Sequence, residues 1–371
     1  MGGFYINLPL GCLVAFPILL LHIPNEVRKK SLAVVLRNIH HHLDLLGFVL
    51  FAPSIVMLLL ALQFGGNQFT WNSSRVIGLF CGAGVTFMAW MAWNYHKGAD
   101  ALLPVPIMRR RVVWMSGVNY TFLMATLFGA SYFLPIYFQA VKGVNAVMSG
   151  VYLLATILPQ LLSAVVGGTL VLKIGYVPPM ALFAAILATI GSGLYSLLQP
   201  DSSTGEWVGF QVITGLGRGA GFQMPIVAAQ NAISQVELSS TMAFIIWCQY
   251  IGLTIFLALY NTIFDTSLRS QLRVQAPNAD ADADAIIAAG ATGFRSVVDH
   301  QDLHDVLVAY SNSLSRVFCL VAAAGAVSWC AAWGMGWKDI REKKPPPPDQ
   351  FTDLGPSNGG EEEKGVSNDK K

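Results

Sequence analysis

The residues best suited by type and spacing to do chemistry are Gln211, Thr214 and Arg218, within Val208–Asn231, VGFQVITGLGRGAGFQMPIVAAQN. At i, i+3 and i+7 they project within about 60° of one another on a helix, as one polar stripe. The stretch that carries them is apolar and long enough to cross a bilayer as a helix of about 20 residues. A guanidinium at that depth costs roughly 3 kcal/mol on insertion scales unless it faces water or a partner. The stripe is therefore expected to face a cavity and to handle a polar group of a solute. Gly215 and Gly219 on one flank, and Gly217 and Gly221 on the other, leave room for neighbouring helices to come close.

Asn119, Tyr120, Gln160, Gln249 and Tyr250 are further substrate-cavity candidates. Each reads equally well as a helix-to-helix hydrogen bond, worth about 0.6 kcal/mol on average. Each also reads as a placed polar group in an aromatic solute cavity. The chemistry of an enzyme is missing: there is no GxSxG, P-loop or HExxH pattern. The glycines of 215–221 lack the strand-turn-helix unit of a dinucleotide loop. His40-His41-His42 would point in three directions on a helix, and His300 and His304 share a helical face without the rest of a zinc motif. No catalytic residue, cofactor or metal is expected, and the chain reads as a non-enzyme.

The elements that must position these residues follow from composition. Charged residues make up 12% and apolar residues 54% of the 371, against about 25% charged in ordinary soluble domains. Nine runs are long and apolar enough to span: about 3–23, 45–64, 76–93, 113–138, 149–172, 177–198, 208–229, 242–264 and 317–337. Arg28, Lys29, Lys30 and Arg37 fall in the first connection, Lys97 and Arg109–Arg111 in the third, and Lys338, Arg341, Lys343 and Lys344 after the ninth run. The positive-inside rule then places these connections and the C-terminus in the cytosol. By parity Met1 would start on the outer side, so either the first run does not span or an odd number of helices lies upstream, and the second is expected. The interior of the runs holds no Asp or Glu, so the coupling acid of a proton-driven pump is not expected in this chain. The net charge of +2 argues for no nucleic-acid partner; the partners implied are the lipid bilayer and a small-molecule substrate.

Smaller features complete the reading. The five cysteines fall in apolar runs and read as core residues. Asn72-Ser73-Ser74 fits the glycosylation pattern on the expected outer side. Pro24–Asp44 reads as an amphipathic helix on the cytosolic surface. In the long connection 265–316, ADADADA reads as a mobile acidic tract and Val297–Leu314 as a separate amphipathic helix. The tail from Lys343, with PPPP and EEEK, is expected to be disordered.

Four segments carry a family resemblance. Phe4-Tyr5-Ile6-Asn7-Leu8-Pro9-Leu10-Gly11 resembles the FYINLPIG segment of the sixth helix in fungal fourteen-helix members of the major facilitator superfamily, the drug:proton antiporter group. Leu43-Asp44-Leu45-Leu46-Gly47 is similar to the LDxxG start of that family's seventh helix. Tyr132–Gly143 with Ser149-Gly150-Val151 resembles its ninth-to-tenth helix stretch. Gly215-Leu216-Gly217, Pro225 and Ala229-Gln230 resemble its twelfth.

The resemblance implies an all-α multi-pass membrane protein with a major-facilitator-type helical bundle, about nine transmembrane helices and most of the N-terminal bundle lacking. Residues 1–23 would be the last helix of that N-terminal bundle, 24–44 a cytosolic loop, and 45–112 two linker helices with a cytosolic loop. Residues 113–342 would form the six-helix C-terminal bundle with its long outer loop 265–316, and 343–371 the tail. It further implies efflux of small organic or toxic compounds by proton antiport, with the plasma membrane as the family default and a vacuolar membrane giving the same topology. The rival reading is a truncated, transport-inactive membrane protein serving as a structural or interaction fragment.

Overall fold

The computed structural model describes residues 7–20, 44–66, 68–98, 101, 103, 105–234, 237–276, 283–298 and 301–341. The helices are α1 (Asn7–Leu20), α2 (Leu45–Phe64), α3 (Ser74–Lys97), α4 (Arg111–Ile136), α5 (Ala146–Ile174), α6 (Val177–Tyr195), α7 (Thr204–Gly221), α8 (Met224–Ala232), α9 (Leu238–Gln275), α10 (Ala283–Gly293) and α11 (Leu303–Ala332). A π-helical turn, Tyr137–Val141, continues α4. Among the described residues, α2, α3, α4 with that turn, α5, α6, α9 and α11 are each long and apolar enough to cross a membrane. The protein is an all-α multi-pass membrane protein.

Three spans differ from their sequence boundaries, each for a physical reason. The seventh is two helices, α7 and α8, interrupted at Phe222-Gln223. Pro225, near the start of α8, has no amide hydrogen to give back to the preceding turn, so the ladder breaks there. The eighth is longer than its apolar run. At 1.5 Å per residue, α9 with its 38 residues is about 57 Å long, against about 30 Å for the hydrocarbon core. It takes in Asp265, which a span ending at Phe264 excludes. The ninth absorbs most of the segment read as a separate amphipathic helix. Val306, Tyr310, Leu314, Val317 and Val321 are all buried and form one continuous stripe, with neither Gly nor Pro before Gly325 to stop the helix.

Only Cys248 of the five cysteines is buried; Cys12, Cys81, Cys319 and Cys330 are exposed. Lipid tails are as apolar as a core, so an apolar neighbourhood does not tell the inner face of a membrane helix from the outer. The end of the acidic tract, from Ala283, is the start of α10. The segment 24–43 with its three histidines, the rest of that tract, His300 and the tail lie outside the described residues.

The chain forms two compact units, residues 1–56 with 82–105, and residues 57–81 with 106–371. The first is organised by Asp44, whose side chain is 1% exposed. Its Oδ1 accepts from the Gly47 amide (3.0 Å), from Trp93 Nε1 (2.9 Å) and from Lys97 Nζ (3.1 Å). A Cβ at Gly47 would collide with that carboxylate, which accounts for the glycine of the LDxxG pattern. Ser54 donates to the Ala83 carbonyl at 3.1 Å, and Asn94 pairs with both backbone groups of Leu103.

In the second unit α7 packs between α5 and α6, α6 against α11, and α4, α9 and α11 against one another. The α7 contacts are made backbone to backbone. A Cβ at Gly219 would overlap the Gln160 carbonyl of α5, and one at Gly217 would overlap the Ala188 amide of α6. Helix ends are set locally: Asn145 caps α5 by accepting from the Met148 amide (2.8 Å), Gly175 closes it in the left-handed region at φ 82°, and Ser203 with Glu206 forms a capping box on α7. Aromatic residues Phe133, Phe138, Trp207, Tyr260, Phe264 and Phe318 build the core.

The last described residues strap back onto the turn between α5 and α6. Ile340 donates to the Gly175 carbonyl (2.8 Å) and Arg341 Nη1 to that of Lys173 (3.1 Å). Hydrogen bonds from Arg341 hold the Asp339 carboxyl down at about 2. The Asp339–Arg341 contact is therefore complete above the ordinary carboxylate range and is lost only as pH falls towards 2.

Replacing Asp44 removes a helix cap and leaves the partly buried Lys97 and Trp93 Nε1 without this acceptor. Asp44→Ala is expected to cost about 1–3 kcal/mol, read as a lower thermal midpoint and faster proteolysis near Leu45.

Candidate functional site

The stripe on α7 lies inside the bundle. Gln211 and Thr214 are fully buried and Arg218 is 1% exposed. Gln211 Oε1 accepts from the Thr156 hydroxyl of α5 at 2.8 Å, and Thr214 donates back to the Phe210 carbonyl at 2.8 Å. Arg218 Nη2 donates to the Thr126 carbonyl of α4 at 2.7 Å. Tyr195 of α6 and Tyr260 of α9, both fully buried, lie within electrostatic reach of the guanidinium. The Tyr195 hydroxyl is beside Thr214 and Thr156 but has no partner in good bonding geometry. Residues from α4, α5, α6, α7 and α9 thus meet in one polar cluster.

The weaker candidates are not gathered there. Asn119 is buried and ties α4 to α11 through Nδ2, which donates to the Ser328 carbonyl (2.7 Å) and hydroxyl (3.0 Å). Tyr120, also buried, meets Phe222 edge to face and lies within electrostatic reach of Tyr250. Tyr250 itself is 59% exposed, and Gln249 and Gln160 are half-buried.

An open cleft of the unit lies elsewhere. It has a volume of about 680 Å³ and is bounded by the end of α2 (Leu59–Gln63), Gly65 and Gly66, Phe128 and Tyr132 of α4, and Leu253–Thr266 of α9. Such a volume fits a drug-sized molecule, and apolar walls with a few polar groups are what ligand sites present. Gln63, Thr254, Asn261 and Asp265 supply polar groups, and Arg269 stands one turn beyond Asp265 close enough to act on its charge. The Thr262 hydroxyl lies 3.0 Å from the Leu62 carbonyl, which fixes the end of α2 to α9. Of these, Tyr132 and Asn261 read from the sequence as span residues that could line a cavity, whereas Gln63, Thr254 and Asp265 did not. The signal was present: Thr254, Ala258, Asn261 and Asp265 recur at three- and four-residue steps along one helical face.

The ends of the bundle are tied by charge. Lys142 donates to the carbonyls of Pro200 (2.8 Å) and Ser202 (2.6 Å), and burial lowers its basicity although Asp201 and Glu206 oppose this. Arg295 reaches the Ala140 carbonyl at 2.8 Å. Arg110 pairs with Glu237 at 2.7 Å; the Ser234 hydroxyl, and then Arg110, hold the Glu237 carboxyl below the usual range. Among the described residues no three His, Cys, Asp or Glu side chains come together as metal ligands.

No protein-family model matches the chain. Several curated proteins do. The MFS-type transporter pigP of Monascus ruber is 48% identical over 345 residues, covering 93% of this chain and 60% of the relative. The MFS-type transporter calB of Penicillium decumbens is 41% identical over 343 residues (92% and 61%), and the efflux pump mlcE of Penicillium citrinum 42% over 349 residues (92% and 63%). The chain spans about three-fifths of the length of these relatives. Along more than nine-tenths of its own length the chain, a helical membrane bundle, is similar to fungal proteins named MFS-type transporters and efflux pumps.

Proposed function

We propose that this chain provides the C-terminal wall of a secondary carrier that exports small organic compounds. The observation that carries the proposal is the identity of 41–48% with proteins named MFS-type transporters and efflux pumps. The cleft beside α9 supports it, because its apolar and aromatic walls with Asn261, Thr254 and Gln63 suit an amphipathic solute. In carriers built of two bundles, one bundle rocks against the other around a site near the midplane. Proton antiport is the coupling implied by the family resemblance. Asp265, one turn past Asn261 on the cleft wall, is the carboxylate of this chain best placed to take part. The family resemblance implies the plasma membrane, a vacuolar membrane giving the same topology, and the basic residues at 28–37, 97–111 and 338–344 support a cytosolic C-terminus. The chemistry is binding and translocation, with no covalent step.

Everted vesicles from cells producing the protein are expected to accumulate amphipathic compounds from a broad panel when a proton gradient is imposed. Asn261→Leu should reduce that uptake about tenfold, the equivalent of one lost hydrogen bond to solute, at unchanged membrane abundance. Absence of gradient-dependent movement for every compound would favour the rival reading of a transport-inactive membrane protein.

Sidedness has its own test. Amine reagents that do not cross membranes should leave Lys343 and Lys344 unlabelled in sealed cells and label them after permeabilisation; labelling of sealed cells would reverse the orientation.

A further inference from the structure

We propose that the end of the bundle where α11 meets the start of α4 holds one anionic phospholipid, its phosphate between Arg111 and Lys338 and its glycerol and ester groups along Trp329, Trp333 and Trp337. The three indoles form a ladder, with successive ring centroids 6.0 Å and 6.1 Å apart. Trp333 and Trp337 are 50% and 54% exposed. The chain behind them is pinned from the inner side, because Ala332, Met335 and Ile340 pack in one cluster with Met115 of α4. A Cβ at Gly334 would strike the Met115 side chain, and one at Gly336 would lie 2.9 Å from Val112 Cγ2. These contacts bring the ladder to the first turn of α4. Arg111 shares a helical face with Met115, at i and i+4, and Lys338 follows Gly336 by two residues; both are exposed.

Charge and layering decide the guest. The acids nearby are already taken, Glu237 by Arg110 at 2.7 Å and Asp339 by Arg341 at 2.7 Å. Arg111 and Lys338 are left without an acidic partner among the described residues. Along the outside of α11 the exposed surface runs from aliphatic Val327 through the indoles to Lys338. A phospholipid has the same order of acyl chain, ester and phosphate. Tryptophan favours the interfacial level of a bilayer, and basic residues just beyond a span attract anionic headgroups. A zwitterionic lipid would bring a cation of its own to a place that already carries unpaired positive charge, so the anionic headgroup is preferred. An acidic peptide would match the cations but leave the indoles uncovered. The inference is independent of transport.

The test is native mass spectrometry of the purified full chain in detergent, offered dioleoyl phosphatidylserine or dioleoyl phosphatidylcholine at equal concentration. The native chain should retain one phosphatidylserine in preference to phosphatidylcholine. Arg111→Gln and Lys338→Gln should each weaken that retention about fivefold, the effect of one basic residue on an anionic headgroup. Trp333→Leu and Trp337→Leu should weaken it too. Lys173→Gln removes a charge from the turn between α5 and α6, which carries no indole, and should leave it unchanged. Equal retention of the two lipids by the native chain would overturn the proposal. So would a loss in Lys173→Gln as large as in Arg111→Gln, the mark of diffuse attraction, or release of the lipid by millimolar inorganic phosphate, the mark of a site for the free anion.

Discussion

The architecture depends on how closely α7 approaches its two neighbours. Where a side chain at Gly219 or Gly217 would strike the backbone of α5 or α6, no side chain can keep the helices apart. The polar stripe that runs between those two glycine flanks is then carried inward with the helix. Burying Arg218 is thus a consequence of packing, and the surrounding residues offset its cost. On insertion scales a central arginine costs about 2.5–3.5 kcal/mol. A charge-assisted hydrogen bond such as that to the Thr126 carbonyl returns about 1.5–3 kcal/mol. The two are of one size, so a single carbonyl goes far towards making the residue tolerable, and the unspent donor at Nε is where further stabilisation can come from.

This arrangement separates two tasks that the sequence presents as one. The guanidinium belongs to the interior, where α4, α6, α7 and α9 converge on it. The surface a solute could reach lies along α9 and the end of α2, where the polar groups are mostly uncharged and Asp265 has Arg269 nearby.

Much of the fold was legible because membrane helices announce themselves by length and by freedom from charge. The runs at 45–64 and 177–198 correspond closely to Leu45–Phe64 and Val177–Tyr195. Charged residues were also what misplaced some ends. A window that stops at Phe264 treats Asp265, Arg269 and Arg273 as loop, whereas they ride on the continuing α9. The break at Phe222-Gln223 had its signal in Pro225, but a long apolar run outweighed it.

The candidate site was harder to read than the fold. Arg218, Gln211 and Thr214 share one face by their spacing, yet a helical face does not say whether it meets a cavity or another helix. In a soluble protein the apolar side would have answered this. In lipid both sides are apolar, and Cys81 and Cys319 stand exposed in stretches as apolar as that around the buried Cys248. The residues that give direction are the small ones. The glycines on both flanks of α7 signal close helix contacts on either side, and two such contacts enclose the stripe between them.

The seating of α7 on α5 can be measured directly. The Cβ that a side chain at Gly167 would carry lies 3.5 Å from Ala220 Cβ, at the short end of the separation a disulfide spans, about 3.5–4.5 Å. In a variant with its native cysteines replaced, the pair Gly167→Cys and Ala220→Cys should cross-link nearly completely in native membranes under mild oxidation. Failure to cross-link, with both thiols present and the protein at normal abundance, would contradict the close approach and with it the enclosure of Arg218.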